Sequence, residues 1–466
     1  MGKNFIFKMT IDFNNKKFLV LGAGLTGVSI ARYLVTKKAF VSMVDDYQTV
    51  IQLKKLINDT SNINFIGKKT DDIAVEKYDY LALSPGVPLS HSLVTKAQKF
   101  SVPLISDIDI FFNNTSFFAK SVLVGITGSN GKTTVANMIG SICMAAGKSY
   151  LLAGNIGRPV LDVLRHMESS KVAVPSIVVL ELSSFQLDLM KTTLLQIAVI
   201  LNMTEDHLDR YKSFDDYVYS KLHIFKGVSK NIINRSCLKF MPCTKKKCTT
   251  FGIDQASRNN DWRLSDTTDH GVIFHGKKKL MSIKRLNVLG FHNVENAMAS
   301  AAVCDLIDID FKKIAIGLQA FIGLPHRLAL VREINAIKFI DDSKGTNVGA
   351  VVAALSDYQG TAIPILGGDG KGQDFTPLRI AVSVSCRAVI LIGRDKAIIA
   401  TVLEGLKIPI VLADSMEDAV NGAFKKAKRG DSVILSPGCA SFDMFKDYKE
   451  RAQYFINSVN FLAESL

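Results

Sequence analysis

Short apolar runs, separated by stretches of helical spacing, recur along the chain. Lys17-Phe18-Leu19-Val20-Leu21, Phe40-Val41-Ser42-Met43-Val44 and Tyr80-Leu81-Ala82-Leu83 read as strands of one sheet. Ser121-Val122-Leu123-Val124, Ile177-Val178-Val179-Leu180 and Ile197 to Leu201 read as buried strands of a second group, and Val135 to Ala146 has helical spacing. The last third restarts the alternation with Ile337 to Ile340, Ile363 to Leu366, Ala388 to Ile392 and Ser432 to Leu435. Each of these ends in a loop of Gly, Asp, Lys or Ser, and such loops would share the C-terminal edge of one parallel sheet, where α/β proteins bind ligands. Residues 230 to 285 are polar and weakly periodic, which predicts a strand-and-turn excursion. Leu289 to Ala297 opens an alanine-rich helix, and Gly323-Leu324-Pro325-His326-Arg327 has the composition of a turn at a domain boundary.

At 466 residues the chain has room for about three domains. Its 48% hydrophobic and 21% charged residues are those of a soluble globular protein. No apolar run approaches the roughly 18 residues needed to span a membrane. Asn4, Lys8 and Asp12 interrupt any signal-peptide core, and Ile6 breaks the myristoylation pattern after Met1-Gly2. The expectation is a cytoplasmic enzyme. Seven cysteines do not suit a disulfide framework, and the cluster Cys237, Cys243 and Cys248 lacks the spacing of a zinc site, so all seven are expected as free thiols. The net charge of +14 admits nucleic acid as a partner. The lysines are scattered, however, and the densest runs, Lys245-Lys246-Lys247 and Lys277-Lys278-Lys279, are isolated. Solvated faces and anionic phosphate ligands explain the excess, and no nucleic acid is expected.

The stretch with the most definite chemistry is Gly125-Ile126-Thr127-Gly128-Ser129-Asn130-Gly131-Lys132-Thr133-Thr134. Strand, glycine turn and helix form a phosphate cradle: backbone N–H groups point inward, Lys132 reaches the outer phosphates, and the Thr133 hydroxyl can ligate Mg²⁺. Gly125 leaves one residue too many for the strict pattern, so the match is to the shorter core Gly128-x-x-Gly131-Lys132-Thr133. Upstream, Gly22-Ala23-Gly24-Leu25-Thr26-Gly27 followed by Asp45 is a dinucleotide fingerprint that any nucleoside diphosphate would satisfy. Ser84-Pro85-Gly86 is a turn or a ligand contact at a strand end. Ala153-Gly154-Asn155-Ile156-Gly157 sets one polar side chain in a glycine-rich loop. Glu181 ends a central strand downstream of the cradle, where a carboxylate holds Mg²⁺. His207 stands among Glu205, Asp206 and Asp209 at another strand end and is a functional candidate. Lys221 follows Tyr217 and Tyr219 on a helical stretch and, on sequence grounds alone, reads as a surface lysine. Asn293 and Asn296 either cap a helix or read a base edge.

Together these motifs resemble the Mur ligase family over nearly the whole chain, and within it the members that add D-glutamate to UDP-N-acetylmuramoyl-L-alanine. The resemblance rests on Thr127 to Thr134, Glu181 to Gln186, Asn202 to Arg210, Leu324 to Arg327, Asp342-Ser343-Lys344, the stretch around Lys371, and Ser436 to Asp443. It implies an α/β fold of three domains: a Rossmann-like UDP-substrate domain over 1–109, a P-loop ATPase-like α/β domain over 110–324, and a Rossmann-like amino-acid domain over 325–466. The family uses ATP to phosphorylate the UDP-muramyl carboxylate, and the incoming amine displaces phosphate through a tetrahedral intermediate.

By this resemblance Gly128, Ser129, Asn130, Gly131, Lys132, Thr133 and Thr134 hold ATP, with Asn293, Asn296, Arg327 and Asp342, and Lys132, His207, Lys221 and Lys344 are the catalytic residues. Thr133, Asn155, Glu181, His207 and a carbamylated Lys221 hold Mg²⁺. Leu25, Thr26, Asp45, Gly86 and Asn155 form the UDP-substrate site, and Thr346, Lys371, Ser441, Phe442 and Tyr448 the D-glutamate site. Tyr47, where an arginine can stand, and the aromatic pair Phe442 and Tyr448 depart from the family pattern. The implied partners are small molecules alone, the implied setting is the bacterial cytoplasm in peptidoglycan precursor synthesis, and the chain is expected to be a monomer that is not embedded in a membrane. The rival readings are a folylpolyglutamate synthase, which lacks the N-terminal domain, an NAD-dependent oxidoreductase read from Gly22 to Gly27 alone, and a non-catalytic nucleotide-binding regulator.

Overall fold

The computed structural model describes residues 11–56, 62–67, 70–114, 117–170, 172–191, 193–241, 248–254, 261–267, 270–288, 290–356, 358 and 360–466. Met1 to Thr10, Cys243, Lys245-Lys246-Lys247 and Leu289, all used in the sequence reading, lie outside the described residues.

Three sheets follow one another along the chain. The first contains β1 (Lys17–Leu21), β2 (Phe40–Val44), β3 (Ile63–Phe65), β4 (Tyr80–Leu83) and β5 (Leu104–Ile105), in the order β3-β2-β1-β4-β5. All of its pairings are parallel. The second contains β6 (Val122–Thr127), β7 (Tyr150–Gly154), β8 (Ile177–Glu181), β9 (Ile197–Ile200), β10 (Lys230–Asn234), β11 (Cys248–Gly252), β12 (Trp262–Leu264), β13 (Val272–His275) and β14 (Lys278–Ser282). Its order is β14-β13-β12-β11-β10-β9-β6-β8-β7, and only β13 runs against the direction of the others. The third contains β15 (Ala329–Ile334), β16 (Ile337–Asp341), β17 (Ala362–Leu366), β18 (Val389–Leu391), β19 (Ile410–Leu412) and β20 (Ser432–Leu435) in the order β15-β16-β20-β17-β18-β19. Only β15 runs antiparallel there. The fold is α/β throughout, as the alternation predicts.

The strands form where both faces are buried. Phe18, Leu19, Val20 and Leu21 of β1 are all in the core, as are Val178, Val179 and Leu180 of β8, which is the pattern of parallel sheets covered by helices on both sides. The described strands between residues 230 and 285 do not leave the body as an excursion: β10 to β14 extend the central sheet. Their polar composition hides an inward set, Ile232, Ile233, Phe251, Trp262, Ile273 and Met281, all buried. The Lys277-Lys278-Lys279 run is exposed at the β13–β14 turn, and charged edge strands of this kind discourage edge-to-edge pairing.

The first two sheets share a continuous hydrophobic cluster, in which Phe111, Phe112 and Phe118 join Phe18 and Tyr33 to Leu123 and Val178. The helix Asp107–Phe112, across which the expected division at 109/110 falls, is tied to the central part by Gln186 Nε2 donating to Asp107 Oδ2 at 3.1 Å. The third sheet keeps its own clusters. Six cysteines are free and buried among the described residues, and no helix there is long and apolar enough to cross a membrane.

Candidate active site

The C-terminal end of β6 turns at Gly128 into the helix Lys132–Ala145. Gly131 caps that helix at φ +84°, and a Cβ there would come within 2.5 Å of Asn296 Oδ1. Glycine is therefore required both by backbone conformation and by the close approach of Asn296. Lys132 Nζ folds back to donate to the carbonyls of Gly128, at 2.6 Å, and Ser129, at 2.9 Å. Burial lowers its pKa, opposed by the charges of Glu181 and Asp206.

Beside the cradle, Thr133 Oγ1 donates to Glu181 Oε2 at 2.9 Å, and Asn155 Nδ2 donates to Glu181 Oε1 at 3.1 Å. Glu181 ends β8 and Asn155 follows β7, its neighbour in the sheet. The described residues contain no group of three or more His, Cys, Asp or Glu side chains able to hold a metal. One carboxylate with a hydroxyl and an amide is an oxygen-rich, incomplete set. It suits Mg²⁺, which keeps several waters and takes further oxygens from phosphates.

The loop after β9 clamps the cradle from the other side. Asn202 Oδ1 accepts from the Asn130 N–H at 2.8 Å, and Asn202 Nδ2 donates to the Asn130 carbonyl at 3.1 Å. His207 lies at φ +57°, with its ring edge-on to Phe185 at 4.9 Å and Nε2 3.7 Å from Asp206 Oδ2. Burial lowers the imidazole pKa; Lys371 and Lys132 add to that effect and Asp206 opposes it.

Lys221 contradicts the surface reading. Only 1% of it is exposed, because the helix Phe214–Leu222 turns Tyr217, Val218, Ser220 and Lys221 inward. Its Nζ donates to the Gly128 carbonyl at 3.1 Å and lies 4.5 Å from the Tyr217 ring centre. The Tyr217 hydroxyl in turn meets Ser129 Oγ at 3.0 Å. Burial, then the charge of Lys132, hold the Lys221 amine well below the usual lysine range.

A cavity of about 580 Å³ opens between the central and C-terminal parts, lined by Asn130, Asn293, Asn296, Arg327, Asp342 and Lys344 among others. Neither asparagine caps its helix: Gly290 occupies that position, and Asn296 Nδ2 donates to Asn293 Oδ1. Arg327 Nη2 reaches Thr133 Oγ1 at 3.5 Å, while its buried Nε has no partner. Asp342 accepts from Ser436 Oγ at 2.7 Å, and burial pushes its carboxyl up to about 7. Burial, with Arg327 nearby, brings Lys344 down to about 8.

The remaining candidates divide. Lys371, at φ +51°, reaches within 3.8 Å of Asp206 Oδ1. Ser441 is buried next to the Asp369–Ala440 bridge, whereas Phe442 is 73% exposed. Tyr448 lies with the cavity residues, its ring 5.0 Å from Lys344 Nζ and edge-on to His326. Thr346 follows β16, directly before Asn347. In the N-terminal sheet Leu25, Thr26, Asp45 and Gly86 gather at the ends of β1, β2 and β4. Asp45 spends its carboxylate on its own loops, accepting from the N–H groups of Ala23, Tyr47 and Gln48. The Tyr47 side chain is 93% exposed. The Gly86 carbonyl accepts from Arg210 Nη1 at 2.7 Å, and the Arg210 guanidinium covers Phe185.

The motif reading gave no role to Asn202, Asp206, Arg210, Tyr217 or Asn347. Asn202, Asp206, Arg210 and Asn347 lie in or just after strand ends, and that position is the available signal; Tyr217 lies on the helix of Lys221, where no such signal exists.

Comparison with known families gives three matches in chain order. Residues 16–106 match the Mur ligase MurD-like N-terminal domain, 126–304 the Mur ligase middle domain, and 326–439 the Mur ligase glutamate ligase domain. The UDP-N-acetylmuramoylalanine–D-glutamate ligase of Methylobacillus flagellatus is 38% identical over 451 residues, which is 96% of this chain and 98% of that protein. The protein of the same name from Nitrosomonas eutropha is 39% identical over 459 residues, covering 96% and 97%. Among solved structures, MurF from Acinetobacter baumannii superposes with a TM-score of 0.60 at 16% identity, over 95% of this chain and 90% of that one. A pseudomurein peptide ligase type C from Methanothermus fervidus gives 0.58 at 20%, over 96% and 100%. These two structures share the fold.

Proposed function

The chain belongs to the Mur ligase family, and from that premise we propose that it adds D-glutamate to UDP-N-acetylmuramoyl-L-alanine in an ATP-dependent step of peptidoglycan precursor synthesis. The observation that carries this reading is the meeting of loops from all three sheets around the Gly128 cradle. Lys132 and Lys221 share its carbonyl, Arg327 reaches Thr133 from the C-terminal side, and Arg210 joins the cradle's neighbouring loop to Gly86 of the N-terminal sheet. A ligase that brings three substrates together needs such a meeting point; a dinucleotide oxidoreductase does not.

A carboxylate oxygen of the UDP substrate attacks the γ-phosphorus and ADP leaves, giving an acyl phosphate. The D-glutamate nitrogen adds to the acyl carbon, phosphate departs, and the amine gives up a proton. Two unit anions 4 Å apart repel by roughly 4 kcal/mol at an effective dielectric of 20. Lys132, Arg327 and Lys344 offset that repulsion in this reading. Asn293 and Asn296 bind the adenine end of ATP in the cavity. Thr133, Asn155, Glu181, His207 and a carbamylated Lys221 would hold Mg²⁺, which supplies charge neutralisation at the phosphates. Lys371, Thr346, Ser441 and Phe442 bind the amino acid, with Tyr448 at the border of that site. Leu25, Thr26, Asp45 and Gly86 bind the UDP portion. The corresponding units are residues 1–109, 110–324 and 325–466, and the setting is the bacterial cytoplasm, with the chain acting as a monomer.

Phosphate release is the test. It should require ATP, the UDP-muramyl substrate and D-glutamate together; release that persists when the UDP substrate is omitted would sink the reading.

A further inference from the structure

The apolar cores of the first two sheets merge, but the third sheet keeps its core to itself. The link between the phosphate loop and Asn347 of the C-terminal part is polar. Asn347 caps the helix Val348–Leu355, its Oδ1 accepting from the Ala350 N–H at 2.8 Å. The same oxygen accepts from Asn130 Nδ2 at 3.1 Å. Its Nδ2 donates to Asn130 Oδ1 at 3.1 Å and to Asp206 Oδ2 at 3.3 Å. With 2% exposure, the side chain has both donors used and its oxygen accepting twice.

The chemistry of this arrangement is specific to asparagine. The Ala350 N–H requires an acceptor at one end of the side chain, and the Asp206 carboxylate requires a donor at the other. Serine keeps the cap but cannot span to Asn130 and Asp206. Aspartate keeps the cap and sets a second carboxylate against Asp206. Asn130 is not free to follow a displaced partner, because Asn202 holds both its N–H and its carbonyl. The Asn130 side chain therefore offers Asn347 a fixed partner beside the backbone between Gly128 and Gly131.

We infer that Asn347 is a positioning residue: through Asn130 and Asp206 it sets the amino-acid loops of the C-terminal sheet, carrying Thr346 and Lys371, against the phosphate loop. The inference rests on the ligase reading above. A cap alone needs only the bond to Ala350, whereas the reciprocal amide pair exists only while the two parts are docked.

Asn347→Ser and Asn347→Asp separate the two roles, since Ser, Asp and Asn are comparable caps. The measurements are melting temperature, kcat and KM for each substrate, and the radius of gyration by small-angle X-ray scattering. Positioning predicts a melting temperature close to wild type in Asn347→Ser, a lower one in Asn347→Asp, where a second carboxylate is buried against Asp206, and an unchanged KM for the UDP substrate in both. It also predicts kcat lower by about tenfold or more, with the larger loss in Asn347→Asp, and a larger radius of gyration in both variants. Wild-type kcat in both variants, or a kcat loss in Asn347→Ser that merely follows a fall in its melting temperature, overturns the inference. If the wild-type protein releases no phosphate, the ligase reading fails on its own, and scattering decides the role of Asn347: a larger radius in Asn347→Asp supports it and an unchanged radius overturns it.

Discussion

Lys132 and Lys221 donate to the same atom, the carbonyl oxygen of Gly128, at 2.6 and 3.1 Å. Two ammonium groups converging on one buried carbonyl repel, and burial penalises both. The lysine on the helix Phe214–Leu222 is the one held well below the ordinary range, by burial and by the charge of Lys132. A neutral amine in such a site is a nucleophile. Attack on CO₂ forms an N–C bond, releases a proton and leaves a carbamate whose negative charge reverses the repulsion. Lys221 is therefore expected to gain one CO₂ in bicarbonate buffer, detected by carbon-13 NMR of protein supplied with labelled bicarbonate. Lys221→Ala should be inactive and partly rescued by short carboxylic acids; a fully active variant contradicts this.

Lys132→Ala should abolish ATP-dependent phosphate release and leave binding of the UDP substrate nearly intact, because the site proposed for that substrate lies at the edge of another sheet. Calorimetry with the UDP substrate and a phosphate assay read the two separately. Retention of more than about a tenth of wild-type turnover, a loss under roughly 1.4 kcal/mol, argues against the cradle as the ATP site.

Lys371 should select the acidic amino acid. A charge-assisted hydrogen bond contributes roughly 1.5–3 kcal/mol, so Lys371→Ala should raise KM for D-glutamate about 10- to 150-fold. The constants for ATP and the UDP substrate should move far less. Equal losses for all three substrates would mean that the side chain serves only its contact with Asp206.

Lys344 supplies a pH dependence. With its pKa lowered to about 8, it is charged below that value and neutral above it. Phosphates favour the charged form, so ATP binding should take up a proton and weaken as pH rises through about 8. In the absence of ligand the sign for stability is the opposite. Between about 8 and 10.5 the unfolded chain holds the proton and the folded one does not, so this group favours folding increasingly as pH rises. Affinity for ATP measured across this range should be flat in Lys344→Arg, whose charge does not titrate there; a flat profile in the wild type contradicts the assignment.

The strand ends were legible in the sequence because parallel strands buried on both faces are short, uninterrupted apolar runs, and Leu21, Val44, Leu83, Thr127, Glu181 and Leu435 all end them within a residue or a few of the expected points. Lys221 was not legible. A lysine among aspartates and tyrosines has the look of a solvated helix face, and only the packing of Tyr217 and Ser220 turns it inward. Asp45 was legible as an acceptor at the end of β2, but its partners are backbone N–H groups of nearby loops. The pairing of Asn130 with Asn347 joins positions in different domains, and no local pattern in one chain encodes which side chains meet across such an interface. The strands from β10 to β14 were obscured by their many polar residues.

The most direct measurement is product formation from UDP-N-acetylmuramoyl-L-alanine and ATP with a panel of amino acids that includes both enantiomers of glutamate, read by mass spectrometry of the UDP product. The account predicts one product, the UDP substrate extended by glutamate, formed from the D enantiomer with one phosphate released per bond. Extension by another amino acid in preference to D-glutamate, or ATP turnover with no extended product, would contradict it.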